Sequence, residues 1–139
     1  MKRNPVIQVT AAIIIHENTV LITQRHRDDE MGEKWEFPGG KIEQDETPEA
    51  CLQRELQEEL DIFVDVDELY CLNKHAYSTC TIELMAYRAS IRCGQISLNI
   101  HQDYRWAPLR ELDTFDFLEA DKPVAQKLMR GADDVTERS

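Results

Sequence analysis

Apolar residues recur at two different spacings along this chain, and the change of spacing marks out its elements. QVTAAIII and VLITQR read as strands that flank His16-Glu17-Asn18-Thr19, a hairpin loop. HRDDEMGEK has no apolar period and predicts a mobile surface loop. WEF is a short strand, broken by Pro38-Gly39-Gly40. Thr47 followed by Pro48 starts a helix as N-cap and first-turn proline, and the period carries it to about Leu60. Alternation in FVDVDELYCL and STCTIELMAYRASIRC predicts further strands, with Cys93-Gly94 as a turn. YRWAPLREL reads as a strand running into a short helical turn. KPVAQKLMR reads as a last helix with Asp121 at its N-cap, followed by a fraying polar tail over 131–139. Strands surrounding two helices predict a single α/β domain over residues 1–139, an α/β/α sandwich with a mixed β-sheet.

The central helix carries the chemistry. At roughly 100° per residue, Leu52, Leu56 and Leu60 share one narrow arc, and Glu55, Glu58 and Glu59 share the next. Gln53, Arg54 and Gln57 fall elsewhere. Like charges at i, i+3 and i+4 each cost an isolated helix roughly 0.2–0.5 kcal/mol, so something must offset the repulsion. Hard divalent cations take oxygen ligands, and Mg²⁺ typically uses one or two carboxylates together with waters and substrate phosphates. A Gly-Gly turn just upstream, without Cβ atoms, lets backbone approach such a cation closely. The bland alternative is a solvated acidic face with an Arg54–Glu58 pair at i, i+4. The spacing alone leaves both open.

Charge narrows the partners. The chain of 139 residues has 27 acidic and 16 basic residues, for a formal net charge of −11. That balance argues against a nucleic-acid polymer or an acidic membrane as partner, since each requires a basic face. A small phosphorylated ligand remains, bridged to the protein's carboxylates by a divalent cation. No apolar run reaches the length of a membrane span. The start of the chain, with Lys2 and Arg3 before an apolar stretch interrupted by Gln8 and Thr10, does not read as a secretion signal. Cys51, Cys71, Cys80 and Cys93 form no CxxC pair and are expected as free thiols in a reducing cytoplasm.

A longer pattern separates the two readings of the acidic face. Gly40, five residues, Glu46, seven residues, Arg54-Glu55-Leu56, Gln57, Glu58-Glu59, Leu60, Asp61, Ile62 resembles the Nudix box, G-x5-E-x7-R-E-U-x-E-E-x-G-U, where U is aliphatic. Eight of nine specified positions match over residues 40–62. The departure is Asp61 where the family has a glycine that ends the helix in a left-handed conformation, a geometry Asp visits less readily. WEFPGGKIE and DETPEACLQRELQEE resemble the MutT branch in particular. QRH, HQDYRW and EADKPV fall where such proteins have comparable segments, so the resemblance runs from about Val6 to Met129.

The resemblance implies a Nudix fold and a Mg²⁺-dependent hydrolase, with Mn²⁺ as an alternative ion. The reaction implied is cleavage of nucleoside triphosphates, oxidised dGTP or CTP-type nucleotides, to monophosphate and pyrophosphate. Glu55, Glu58 and Glu59 would bind the metal, with the Gly39 carbonyl as a further ligand and Glu55 as first candidate to accept the water's proton. Gly40, Glu46 and Arg54 would be structural members of the box, the last two as an ion pair. Arg25 is expected to clamp a phosphate, against the alternative of a surface arginine. Asp121 stands where the branch reads the base edge, against the alternative of the helix cap. Trp35 and Phe37 would stack on or line a nucleobase pocket, although core packing is the better reading for one of them. Some relatives place another glutamate, as ligand or base, where Ile100 stands here, next to His101. Two other readings are a Nudix hydrolase acting on another nucleoside diphosphate derivative such as ADP-ribose, and a catalytically silent nucleotide-sensing module.

Overall fold

The computed structural model describes residues 4–138, with side chains to Ala132. Strand β1 (Val6–Ile13) runs to a two-residue strand β2 (Ile15–His16), which turns through Glu17 and Asn18 into β3 (Thr19–Gln24). Both turn residues have positive φ, 49° and 64°, as a two-residue hairpin matched to strand twist requires. Strands β4 (Trp35–Glu36) and β5 (Gly39–Lys41) precede helix α1 (Pro48–Leu60). Then come the long strands β6 (Phe63–Ala76) and β7 (Thr81–Cys93), strand β8 (Asp103–Pro108), a 3-10 helix over Leu109–Thr114 and helix α2 (Lys122–Arg138).

The strands divide into two sheets. One is mixed, in the order β5-β1-β7-β6, with β1 parallel to β7 from Val6 opposite Thr81 to Ile13 opposite Arg88. The other is antiparallel: β3 lies between β4 and β8 and also pairs with β2. Alternate residues of the same strands serve opposite layers. Ala11, Ile13, Val20 and Ile22 belong to a core shared with Leu112, Val124 and Leu128, on the side of α2. Ala12, Ile14 and Leu21 belong to a second core, with Leu52, Leu56 and Leu60 of α1. Both faces are thereby covered, and the α/β/α sandwich follows from period-2 strands meeting the leucine arc of α1.

Two local expectations are corrected. Gly39 and Gly40 do not form a turn: they belong to β5, antiparallel to β1 with Thr10 opposite Gly40 and Ala11 opposite Gly39. A Cβ on Gly39 would lie 2.0 Å from the Thr10 carbonyl oxygen, so only glycine permits this approach. The expected tail also begins too early, because the α2 backbone stays helical to Arg138; side chains beyond Ala132 lie outside the described residues.

Candidate active site

Helix α1 begins as its sequence dictates, with the Thr47 hydroxyl accepting the Ala50 N–H at 3.1 Å and Pro48 in the first turn. It ends at Asp61, whose φ of 57° and ψ of 31° place it in the left-handed region expected of the box glycine. A segment from the far side of β7 completes the end: the Ser97 and Asn99 N–H groups donate to the carbonyls of Leu60 and Glu59, and Asn99 Nδ2 to that of Glu58 at 2.6 Å. Carbonyls that would be orphaned at a helix C-terminus are thus satisfied.

Arg54 is what offsets the clustered carboxylates. Its Nε and Nη2 donate to the two Glu46 oxygens at 2.7 and 3.0 Å, and its Nη1 to Glu55 at 2.8 Å and Glu58 at 3.3 Å. These hydrogen bonds hold the Glu46 carboxyl down at about 2, against an ordinary 4.5. The expected Arg54–Glu46 pair and the expected Arg54–Glu58 pair therefore both exist, on one guanidinium.

Glu59 is left out of that arrangement. Its Oε2 is buried with no hydrogen-bond partner. Burial first, and then the neighbouring Glu55 carboxylate, push it up to about 9 from 4.5. An orphaned carboxylate oxygen beside a second carboxylate is a donor set suited to a divalent cation, which would satisfy the oxygen and relieve the repulsion. Glu58 does not join them: its side chain is 61% exposed and faces Arg54. Among the described residues no three His, Cys, Asp or Glu side chains form a ready metal cage. Glu55 and Glu59 share a cleft, with Gly39 and Gly40 in its wall.

Gly40 leaves the room that Glu55 fills, since a Cβ there would lie 2.3 Å from the Glu55 carboxyl carbon. Gly40→Ala is therefore expected to displace this carboxylate and lower turnover at least tenfold, roughly 1.4 kcal/mol in the barrier. Steady-state rates alongside a circular-dichroism melt check it, and turnover at the wild-type level would remove Glu55 from the chemistry.

The cleft has a volume of about 460 Å³. Its lining includes the charged or polar side chains of Arg25, Glu36, Glu55, Glu59 and His101 and the apolar ones of Phe37, Ile82, Leu84 and Leu118. Arg25 is accordingly a cleft residue as well as a partly exposed one. Trp35 is not part of the lining; it is buried edge-on against Phe115, with ring centroids 5.3 Å apart, and it shares a core cluster with Phe37. Phe37 lines the cleft and stacks on Phe117 from behind. Ile100 also borders the cleft and brings no carboxylate to it.

Asp121 departs from the capping expectation. Its backbone carbonyl accepts from Ala125 N–H, as an N-cap should, but its side chain turns away from α2. Oδ2 accepts the Phe37 N–H at 2.9 Å, and the residue is only 5% exposed at the cleft wall. Burial pushes this carboxyl up to about 8 from 3.8.

The sequence did not single out Glu36. Its Oε1 accepts from Arg25 Nη1 and its Oε2 meets His101 Nε2, both at 3.1 Å. The available signal was a carboxylate between two buried aromatics, Trp35 and Phe37, in a short strand.

A NUDIX domain profile matches residues 10–127. The CTP pyrophosphohydrolase of Escherichia coli (strain K12) is 33% identical over 123 residues, covering 88% of this chain and 91% of that protein. The 8-oxo-dGTP diphosphatase of the same organism is 37% identical over 125 residues, covering 89% and 97%. The solution structure of the E. coli ORF135 protein has a TM-score of 0.80 at 32% identity, with 91% of each chain covered. MutT protein from Methanosarcina mazei Go1 has a TM-score of 0.84 at 19% identity, covering 95% of this chain and 99% of that one, a likeness of fold alone.

Proposed function

The chain belongs to the NUDIX family as a MutT-like hydrolase, and from that premise we propose that it is a Mg²⁺-dependent nucleoside triphosphate pyrophosphohydrolase. Its substrates are oxidised dGTP or CTP-type nucleotides, cleaved to monophosphate and pyrophosphate. The observation that carries this reading is the cleft lining, which brings the unpartnered Glu59 oxygen beside Glu55 and sets Asp121 beside Phe37. The first suits a cation-bound triphosphate, the second a nucleobase.

Glu55 and Glu59 would hold the ion, with the Gly39 carbonyl beside them and Glu58 joining if it leaves Arg54. A bound Mg²⁺, or Mn²⁺ in its place, neutralises phosphate charge and lowers the pKa of a coordinated water. Arg54 offsets the repulsion between Glu55 and Glu58, and Glu46 keeps Arg54 in place. Glu55 accepts the proton of the attacking water. Arg25 binds phosphate oxygen, Phe37 packs on the base, and Asp121 reads the base edge. Glu59 also speaks against a silent module that needs no metal, because a buried carboxyl with an orphaned oxygen costs stability that a bound cation would offset. The whole chain is a single hydrolase domain, with its box over 40–62. Its four thiols are free, which suits the cytoplasm. No described helix is long and apolar enough to cross a membrane.

Reaction in ¹⁸O-water over a panel of nucleoside triphosphates tests the chemistry. The expected products are monophosphate and pyrophosphate in equal amounts, with one label per turnover. Orthophosphate and nucleoside diphosphate would overturn the reading.

A further inference from the structure

Glu36 is a carboxylate with 15% of its side chain exposed, and both of its oxygens are engaged. Oε1 takes Arg25 Nη1 and Oε2 takes Nε2 of His101, whose side chain is 2% exposed. A buried histidine beneath a carboxylate fixes where that carboxylate stands, and the carboxylate then fixes the guanidinium. Arg25 is held from a second direction, since its Nε donates to the Glu30 carbonyl at 3.0 Å. Its Nη2 has no hydrogen bond among the described residues, and Arg25 lines the cleft. Two nitrogens of a rigid planar group are thus pinned and one is spare.

We propose that Glu36, anchored by His101, is a positioning residue that holds Arg25 ready to take a phosphate oxygen at its free Nη2. The proposal rests on Arg25 being the phosphate clamp. Charge and orientation act in opposite directions here. A carboxylate next to Arg25 weakens the potential felt by an anion, so Glu36 as a mere charge neighbour would oppose phosphate binding. An arginine held in one rotamer, in contrast, does not lose its side-chain freedom when the anion arrives. The sign of the effect of removing the charge therefore decides between the two.

Calorimetric titration with inorganic pyrophosphate in Mg²⁺, together with KM and kcat for the preferred triphosphate, reads the result. Arg25→Ala is expected to weaken pyrophosphate about tenfold or more, and Glu36→Gln about fivefold, mostly in KM. In the Arg25→Ala background Glu36→Gln should change nothing further, because its effect passes through Arg25. His101→Leu should resemble Glu36→Gln, whereas His101→Gln, which keeps an N–H for Oε2, should restore affinity; this pair also serves if Glu36→Gln fails to fold. Tighter pyrophosphate binding in Glu36→Gln, or additive losses in the double variant, would overturn the proposal. Unchanged binding in Arg25→Ala would overturn it too, and would show that the clamp itself is misplaced.

Discussion

Glu59→Gln is expected to lower turnover at least tenfold, about 1.4 kcal/mol in the barrier, while making the metal-free protein more stable. Both effects come from one oxygen. Burial and Glu55 raise the Glu59 carboxyl from 4.5 to about 9, so the folded state binds its proton more tightly than the unfolded state does. The sign follows. Stability tied to this group is fully present below about pH 4.5 and is lost as pH rises toward 9. Gln cannot ionise, so the melting temperature of the variant should exceed that of wild type by a margin that widens across that window. Mg²⁺ should reverse the order. A ligand of the folded state at a hundred times its Kd contributes about 2.7 kcal/mol, and the variant should forfeit most of it. Glu58→Gln should lower turnover by a similar factor without the metal-free gain, because Glu58 is exposed and tied to Arg54. Near-wild-type turnover in both variants would remove the acidic face from catalysis.

The contrast between Glu58 and Glu59 marks how far the sequence could be read. Helix α1 was legible throughout, because its cap, its leucine arc and the left-handed Asp61 are local properties. Spacing places Glu55, Glu58 and Glu59 on one face of the helix but does not tell which of them is buried. Which of them is buried depends on Arg54, whose partner Glu46 sits eight residues upstream, and on the segment near Asn99 that covers the helix end. Gly39 and Gly40 read from the sequence as a turn of close backbone approach, and the close approach is real but belongs to a strand. A three-residue edge strand has no period of its own and exists only because β1 pairs with it. Glu36 was invisible for a similar reason, since its partners lie 11 and 65 residues away. Sandwich and helices were legible from periodicity; the split into two sheets was not, because alternation records which face a residue serves and not which strand is its neighbour.

Asp121 reaches across 84 residues to the Phe37 N–H, and that contact changes what its substitution should do. Asp121→Asn keeps an acceptor for Phe37 and places an amide donor where the second carboxyl oxygen stood. Because burial lifts the wild-type carboxyl from 3.8 to about 8, wild type loses stability as pH rises between those values and Asn does not. The Asn variant should therefore gain melting temperature relative to wild type up to about pH 8, with the margin constant above it. Asp121→Ala leaves the buried Phe37 N–H without an acceptor and should cost roughly 1–3 kcal/mol, measured by denaturant melts. Base preference gives the functional half. Below about pH 8 the neutral carboxyl offers a base both an O–H donor and an acceptor, and above it only acceptors. Relative kcat/KM among guanine, oxidised guanine and cytosine triphosphates should accordingly shift across pH 8 in wild type and stay level in Asp121→Asn. A preference that is the same in wild type, Asn and Ala variants at every pH would remove Asp121 from base reading and leave it as the acceptor that fastens Phe37 to the start of α2.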